Sequence, residues 1–467
     1  MKKIILFITI VSIFAINLFA QTYNDTALAR VVSQDKMSRD VSGKLSTLNA
    51  GEHAFRADVY LSNRQFPQAR EHWQKILDNY GKDSAVMPKT LFGIARSYMW
   101  ERQYVKAVYH FDELIFAYAD TKEGREGLAF KGASLVRLGK NAEAAKTYEQ
   151  YVTMFPNGEK IETSYLNIID ALREAGNYGE ANVWVDKTRL RFAGLPAAIN
   201  ALHARLRLEI FHENWQKAIE AADVLRSLGK FSGSMTSLDE VTYLKAFALE
   251  KLGRKSEAIN TYNAVAKNLN SYYGGIAMDK LEKLNSSSNK VERMVSVGQN
   301  LAREYPVQYR AELLRHSKSR GIDPRFVLAI MKQESGFRAN AKSPAAARGL
   351  LQLVFDTALK YNKQAGFTKF NAEDLYQPNV NIAIGSVYIA ELKTQFGGLY
   401  EAIAASYNGG EDNAVRWLAR SKPKEAAIFA SEVGFAETKN YVFKVMNNYR
   451  VYRQLYTEDL IANNNVK

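Results

Sequence analysis

At 467 residues the chain is too long for one hydrophobic core and predicts two or three domains. With 47% hydrophobic and 24% charged residues and only nine prolines, it reads as a packed, ordered protein, while the absence of cysteine excludes disulfides, thiolate metal sites, thiol nucleophiles and a lipidated cysteine. Lys and Arg outnumber Asp and Glu by 63 to 49, a charge of +14; without a basic-aromatic groove motif, this fits an anionic envelope polymer or membrane surface, or plain solubility, better than nucleic acid.

The chain opens with Lys2 and Lys3 ahead of an apolar stretch from Ile4 to Ala20, then polar Gln21-Thr-Tyr-Asn-Asp. This predicts an export signal over 1–20, removed after Ala20, with a retained anchor as the alternative. No later stretch is apolar enough to span a bilayer, which places the remainder in the periplasm, free or peripheral to the envelope membrane. The six histidines, at 53, 72, 110, 203, 212 and 316, never fall at a short ligand spacing, so neither metal nor cofactor is expected.

Helical periodicity dominates from about 45 to 285, and one element recurs. Phe66-Pro-Gln-Ala69 leads to Trp73, Tyr104-Val-Lys-Ala107 to Phe111, and Asn141-Ala-Glu-Ala144 to Tyr148. The element returns with Ala181 and Val185, Ala218 and Ala222, and Ala258 and Tyr262. Intervals of 37 to 40 residues between alanines mark a helix-pair solenoid. A small residue lets two helices approach, and the residue four positions later fills the space between pairs, so the aromatics read as packing and not as a ligand box. The pairs resemble tetratricopeptide repeats with a longer period. Such a stack offers a concave surface, here for glycan or an envelope protein partner, and carries no evident chemistry. The repeats are assigned to 21–285. Leu284-Asn-Ser-Ser-Ser-Asn-Lys290 ends them, and 286–304 is expected to be a linker or transition helix.

Asp323-Pro324 starts a helix, with Asp as N-cap and Pro at the first turn, and Gly336 closes it. Phe326, Val327, Ile330 and Met331 form its apolar stripe, and Glu334 continues that stripe in the last turn. Desolvation and the negative end of the helix dipole both disfavour the ionised form there, giving a proton donor near neutral pH. Solvation of Glu334, or pairing with Arg338 or Lys332, is the alternative.

Residues 324–337, PRFVLAIMKQESGF, then Ser343-Pro344, Ala347-Arg-Gly-Leu-Leu-Gln-Leu353, Ser406-Tyr-Asn-Gly-Gly410 and Glu437-Thr-Lys-Asn-Tyr441, resemble the catalytic domain of the soluble lytic transglycosylases over roughly 305–455. The resemblance implies an all-α chain, a tetratricopeptide-like superhelix followed by a lysozyme-like domain at 305–460. It implies cleavage of the β-1,4 bond between N-acetylmuramic acid and N-acetylglucosamine in peptidoglycan strands. Glu334 would be the single catalytic residue, first protonating the glycosidic oxygen and then taking a proton from the muramoyl C6 hydroxyl, which leaves a 1,6-anhydro end.

Around that acid, Ser343 is expected to reach an acetamido group or peptide stem, and Gln352, on a helix begun by GLLQL, to bind sugar groups beside a wall of Leu351 and Val354. Tyr407, ahead of the Asn408-Gly-Gly410 break, would hold the acetamido group or the acid; Asn408 joins the binding set. Glu437 and Tyr441, at i, i+4 on the next helix, would line the saccharide groove. The family commonly has GLMQ followed by Met-Pro; GLLQ followed by Val354-Phe355 bears on the shape of that loop and leaves the acid untouched. Residues 301–467 carry 23 Lys and Arg against 16 Asp and Glu, suited to carboxylates of the glycan's lactyl groups and stems. Two other readings stand: a muramidase-type hydrolase with water held by Asp356 or Glu437, and a non-catalytic scaffold.

Overall fold

A computed structural model describes residues 13–81, 85–266, 271–284 and 299–463. Most of the expected export signal and of the 286–304 linker lies outside the described residues. A helix, Ile13–Ser38, precedes the repeats, and none of the helices among the described residues is long and apolar enough to cross a membrane. Asp35 docks that helix, accepting hydrogen bonds from Arg56 at 2.5 Å and Tyr60 at 2.7 Å.

Six antiparallel helix pairs follow, from Ala50–Ser62 with Phe66–Asn79 to Leu238–Lys251 with Lys255–Ala266, and Tyr272–Leu284 covers the last pair. The six alanines of the repeat, Ala69 to Ala258, are all buried. The residues four positions on are buried too, and their packing explains two glycines. A Cβ at Gly93 would lie 2.4 Å from the Trp73 ring, and one at Gly132 2.6 Å from Tyr148. Five residues before each alanine the backbone turns left-handed, at Arg64, Arg102, Gly139, Gly176, Glu213 and Gly253. Only half of these are glycine, so this most regular feature of the turns is hidden in the sequence.

The second half is a compact helical unit around Pro324–Glu334. Helix Ala436–Leu455 packs beside it and ties both its ends: Tyr449 donates to Asp323 at the N-cap (2.8 Å) and Tyr441 to Glu334 at the C-terminus (2.7 Å). Those tyrosines lie eight residues apart, about two turns, and so share one face.

The two halves are joined along the edge formed by the turns and the ends of the first helices of the pairs. Arg64 meets Asp356 (3.1 Å), Tyr104 donates to Asp412 (2.6 Å), and Glu174 binds Arg416 (2.8 Å). Deeper in, Arg173 and Arg207 reach Glu432 at 2.7 and 2.8 Å. Ala427, Ile428 and Ala430 belong to the repeat core itself. This edge of the repeats is therefore occupied in part by the chain's own C-terminal unit.

Candidate active site

The catalytic-type helix begins as its sequence predicts, with the Asp323 carboxylate accepting from Arg325 N–H at 2.9 Å, and ends at Glu334. Phe326 to Met331 are buried without exception, so the helix is anchored along its length and its last turn is held at the floor of an open groove of about 480 Å³. Ser335 caps it: its hydroxyl donates to the Leu350 carbonyl at 2.8 Å, joining the helix end to the loop that follows.

That loop departs from expectation. Residues 349–353 are a tight turn and not a helix; the next helix, Phe355–Tyr361, starts beyond Gln352. Gly349 and Gln352 both have positive φ, at 77° and 45°. Asn381, buried on helix Pro378–Gln395, accepts the Leu351 N–H (2.8 Å) and donates to the carbonyls of Arg348 (3.0 Å) and Leu375 (2.8 Å). A Cβ at Gly349 would lie 2.1 Å from the Leu375 oxygen, which fixes glycine there. A side chain thirty residues away thus supplies the hydrogen bonds a helix would have made.

Of the residues expected at the site, Ser343, Gln352, Asn408, Glu437 and Tyr441 line the groove with Glu334. Gln352 spends both amide hydrogens on its own loop, donating to Ala341 (3.0 Å) and Gly349 (2.8 Å) carbonyls, which leaves its side-chain oxygen as acceptor. The Ser343 hydroxyl accepts from Ala347 N–H at 3.1 Å. Asn408 receives the Thr438 hydroxyl at 2.6 Å. Val354 and Tyr407 fall outside the groove lining. Val354 is the extended residue before Phe355–Tyr361, and the Tyr407 phenol donates to the Leu351 carbonyl at 2.7 Å, supporting the loop from behind. Helix Tyr400–Gly409 runs through Asn408 and is ended by Gly410, at φ 87°. Two helices, Glu411–Arg420 and Ala426–Glu432, separate it from the one bearing Glu437 and Tyr441, which is therefore not the next in order.

The hydrogen bond to the Glu334 carboxyl thus comes from Tyr441, and that of Tyr407 goes to the Leu351 carbonyl. Burial drives the Glu334 pKa up to about 7, opposed by the Tyr441 hydrogen bond and helped by the charge of Glu437. Among the described residues no lysine or arginine forms an ion pair with Glu334, and neither Lys332 nor Arg338 neutralises it; Lys332 points to the Glu304 carbonyl and Arg338 to that of Ser335. Arg338, Lys342 and Lys444 stand on the groove wall, and no cluster suited to a metal ion occurs among the described residues. Asp356 is an exposed partner of Arg64, away from the groove. Ser335 and Asn381 were not foreseen. The one signal for Asn381 was a lone amide in the apolar run VNIAIG.

The fold and the groove define an all-α protein in which a tetratricopeptide-like scaffold carries a lysozyme-like domain, its groove holding a half-buried acid, Glu334, with no ion pair among the described residues. Residues 313–430 match the Transglycosylase SLT domain and 131–158 the tetratricopeptide repeat, so the chain carries that domain behind repeats of that kind. It is 30% identical over 156 residues, 33% of its length, to the soluble lytic murein transglycosylase of Salmonella typhimurium. It is 35% identical over 135 residues, 29% of its length, to a putative soluble lytic murein transglycosylase of Haemophilus influenzae. These matches span about a quarter of each relative, 24% and 23%. In fold it resembles the lytic transglycosylase Slt of Pseudomonas aeruginosa, with a TM-score of 0.51 at 16% identity over 97% of this chain and 88% of that one.

Proposed function

We propose that the protein is an exported lytic transglycosylase of peptidoglycan, acting in the periplasm, with Glu334 as its one catalytic carboxyl. The observation that carries this reading is Glu334 at the groove floor, held by Tyr441, without an ion pair among the described residues and with its pKa raised to about 7. Such a group delivers a proton where an ordinary carboxylate has none.

In this scheme the Glu334 proton passes to the glycosidic oxygen as the bond from the muramoyl C1 breaks, and the N-acetylglucosamine side leaves as an alcohol. The resulting carboxylate takes the proton of the muramoyl C6 hydroxyl as its oxygen bonds to C1. Glu334 ends as it began, and no water is consumed. Arg338 and Lys444 suit the carboxylates of lactyl groups and stem peptides, and the Gln352 side-chain oxygen suits an acetamido N–H.

A hydrolase is the second reading, and the presence of Glu437 on the same groove favours it over one based on Asp356. Paired carboxylates serve glycosidases when one of them directs a water. Digestion of purified sacculi by the wild-type protein, E334Q and E437Q, with products read by mass spectrometry, separates the two. Anhydro ends from wild type and from E437Q, and none from E334Q, support the transglycosylase. Reducing ends that vanish in both variants would replace it with the hydrolase.

A further inference from the structure

The groove's helix is held from the repeat side by the stacking of Phe443 on Tyr272, with ring centroids 5.0 Å apart, and by one buried ion pair. Lys439 lies two residues after Glu437 and two before Tyr441, about 200° round the helix from each, and so faces away from the groove. Its ammonium donates to Glu240 Oε1 at 2.7 Å. Glu240 sits in the first turn of the repeat helix Leu238–Lys251, its backbone N–H bonded to the Ser237 hydroxyl at 3.2 Å, and His203 Nε2 stands 3.0 Å from the same carboxylate oxygen. Lys439, Glu240 and His203 are each at most 3% exposed. The adjacent Thr438 is bonded to Asn408, so the side chains of 438, 439 and 441 are tied to three different helices.

A buried Lys–Glu pair adds little stability over an apolar pair of the same volume, because desolvation of two charges offsets their attraction. What it does supply is direction and register. We propose that Glu240 is a positioning residue of the active site: by holding Lys439, it fixes the helical turn that presents Tyr441 to Glu334, so that the repeat scaffold takes part in setting the acid. The inference rests on the transglycosylase reading for its kinetic consequence and on geometry alone for its effect on Glu334.

The groups involved are few. Glu334 is faced by Tyr441 and Glu437 from helix Ala436–Leu455, which also brings Lys444 to the groove, by Tyr407 from helix Tyr400–Gly409, and by Arg338 and Lys342 on the groove wall. Glu240 is faced by Lys439, by His203 and Arg207 of helix Pro196–Phe211, and by Tyr273, with Glu432 beyond Arg207. The Tyr441 bond opposes the upward push of burial on Glu334. Loosening it therefore raises that acid's pKa, whereas loss of the Glu240 charge acting directly through space would lower it. The sign separates positioning from field.

The test uses the full chain, comparing wild type, E240Q, and the double variant E240L/K439M, which refills the site with apolar side chains. Expected for both variants is a kcat for glycan release at least about 10-fold lower, with KM within about 2-fold, since an error near 1 Å at a catalytic group costs on the order of 100-fold. The alkaline limb of the rate profile, and the Glu334 titration followed by NMR without substrate, both move to higher pH. A double variant that melts no lower than wild type and has normal kcat and an unmoved titration would overturn the proposal, as would unchanged kcat in E240Q. A wild-type protein that releases no glycan would defeat the proposed function instead, and the substrate-free titration would still decide whether Glu240 positions Tyr441.

Discussion

Glu334 and Glu432 are glutamates of the same C-terminal unit, one on the groove and one at the junction with the repeats, and burial pushes the pKa of both upward. At the junction Arg173, Arg207 and Arg420 surround Glu432 and hold it down at about 2. On the groove the neighbours are phenols and a second carboxylate, and Glu334 rises to about 7. Desolvation is common to the two; the company of cations decides which is a fixed ion and which keeps its proton toward neutral pH. The junction spends three arginines to make an inert charge. The groove keeps its cations on the wall.

That contrast is broken most severely at the acid itself. E334Q is expected to lower glycan release by about 10²–10⁴-fold, the range of a lost general acid, while its circular dichroism stays native. A variant that retained a tenth of the activity would move the chemistry elsewhere. E432Q should do the reverse. Removing the charge that three buried arginines share is expected to cost on the order of 3–5 kcal/mol in denaturation experiments. The activity of whatever remains folded should be nearly normal.

The two acids also predict opposite pH responses. The raised pKa of Glu334 means that its contribution to stability is full below about 4.5 and is lost as pH rises through about 7, so E334Q should gain on wild type by about 1–3 kcal/mol between pH 4.5 and 8. The depressed pKa of Glu432 means that its contribution is full above about 4.5 and is lost as pH falls toward 2, so the deficit of E432Q should shrink with acid. Parallel melts of both variants across pH check the signs. In the repeats, Gly132→Ala sets a methyl 2.6 Å from the Tyr148 ring and is expected to cost about 1–3 kcal/mol with kcat unchanged. Y441F removes outright the bond that the Glu240 variants loosen, so its kcat is expected to fall by at least the same 10-fold or so, and the alkaline limb of the rate profile to move up by about one pH unit.

What was legible in the sequence is the part written in short spacings. The alanine every 37 to 40 residues gave the repeats, and the stripe from Phe326 to Met331 placed Glu334 at its end, because helical periodicity reports which face is buried. What was not legible depends on partners far along the chain. GLLQL looks helical on its own, and only Asn381 and the positive φ of Gly349 and Gln352 turn it into a loop. Tyr407 and Tyr441 are alike in sequence context, one at a helix end and one within a helix; which phenol meets the acid is settled by two intervening helices. The ion pairs of the junction, such as Glu240 with Lys439, link residues 199 apart, where no local pattern reaches.

We propose that burial without an ion pair makes Glu334 a proton donor at neutral pH. The direct measurement is the titration of its side-chain carboxyl carbon by NMR in the full chain, the signal assigned by its loss in E334Q. A midpoint near 7 is predicted, and a midpoint near 4.5 would contradict the account.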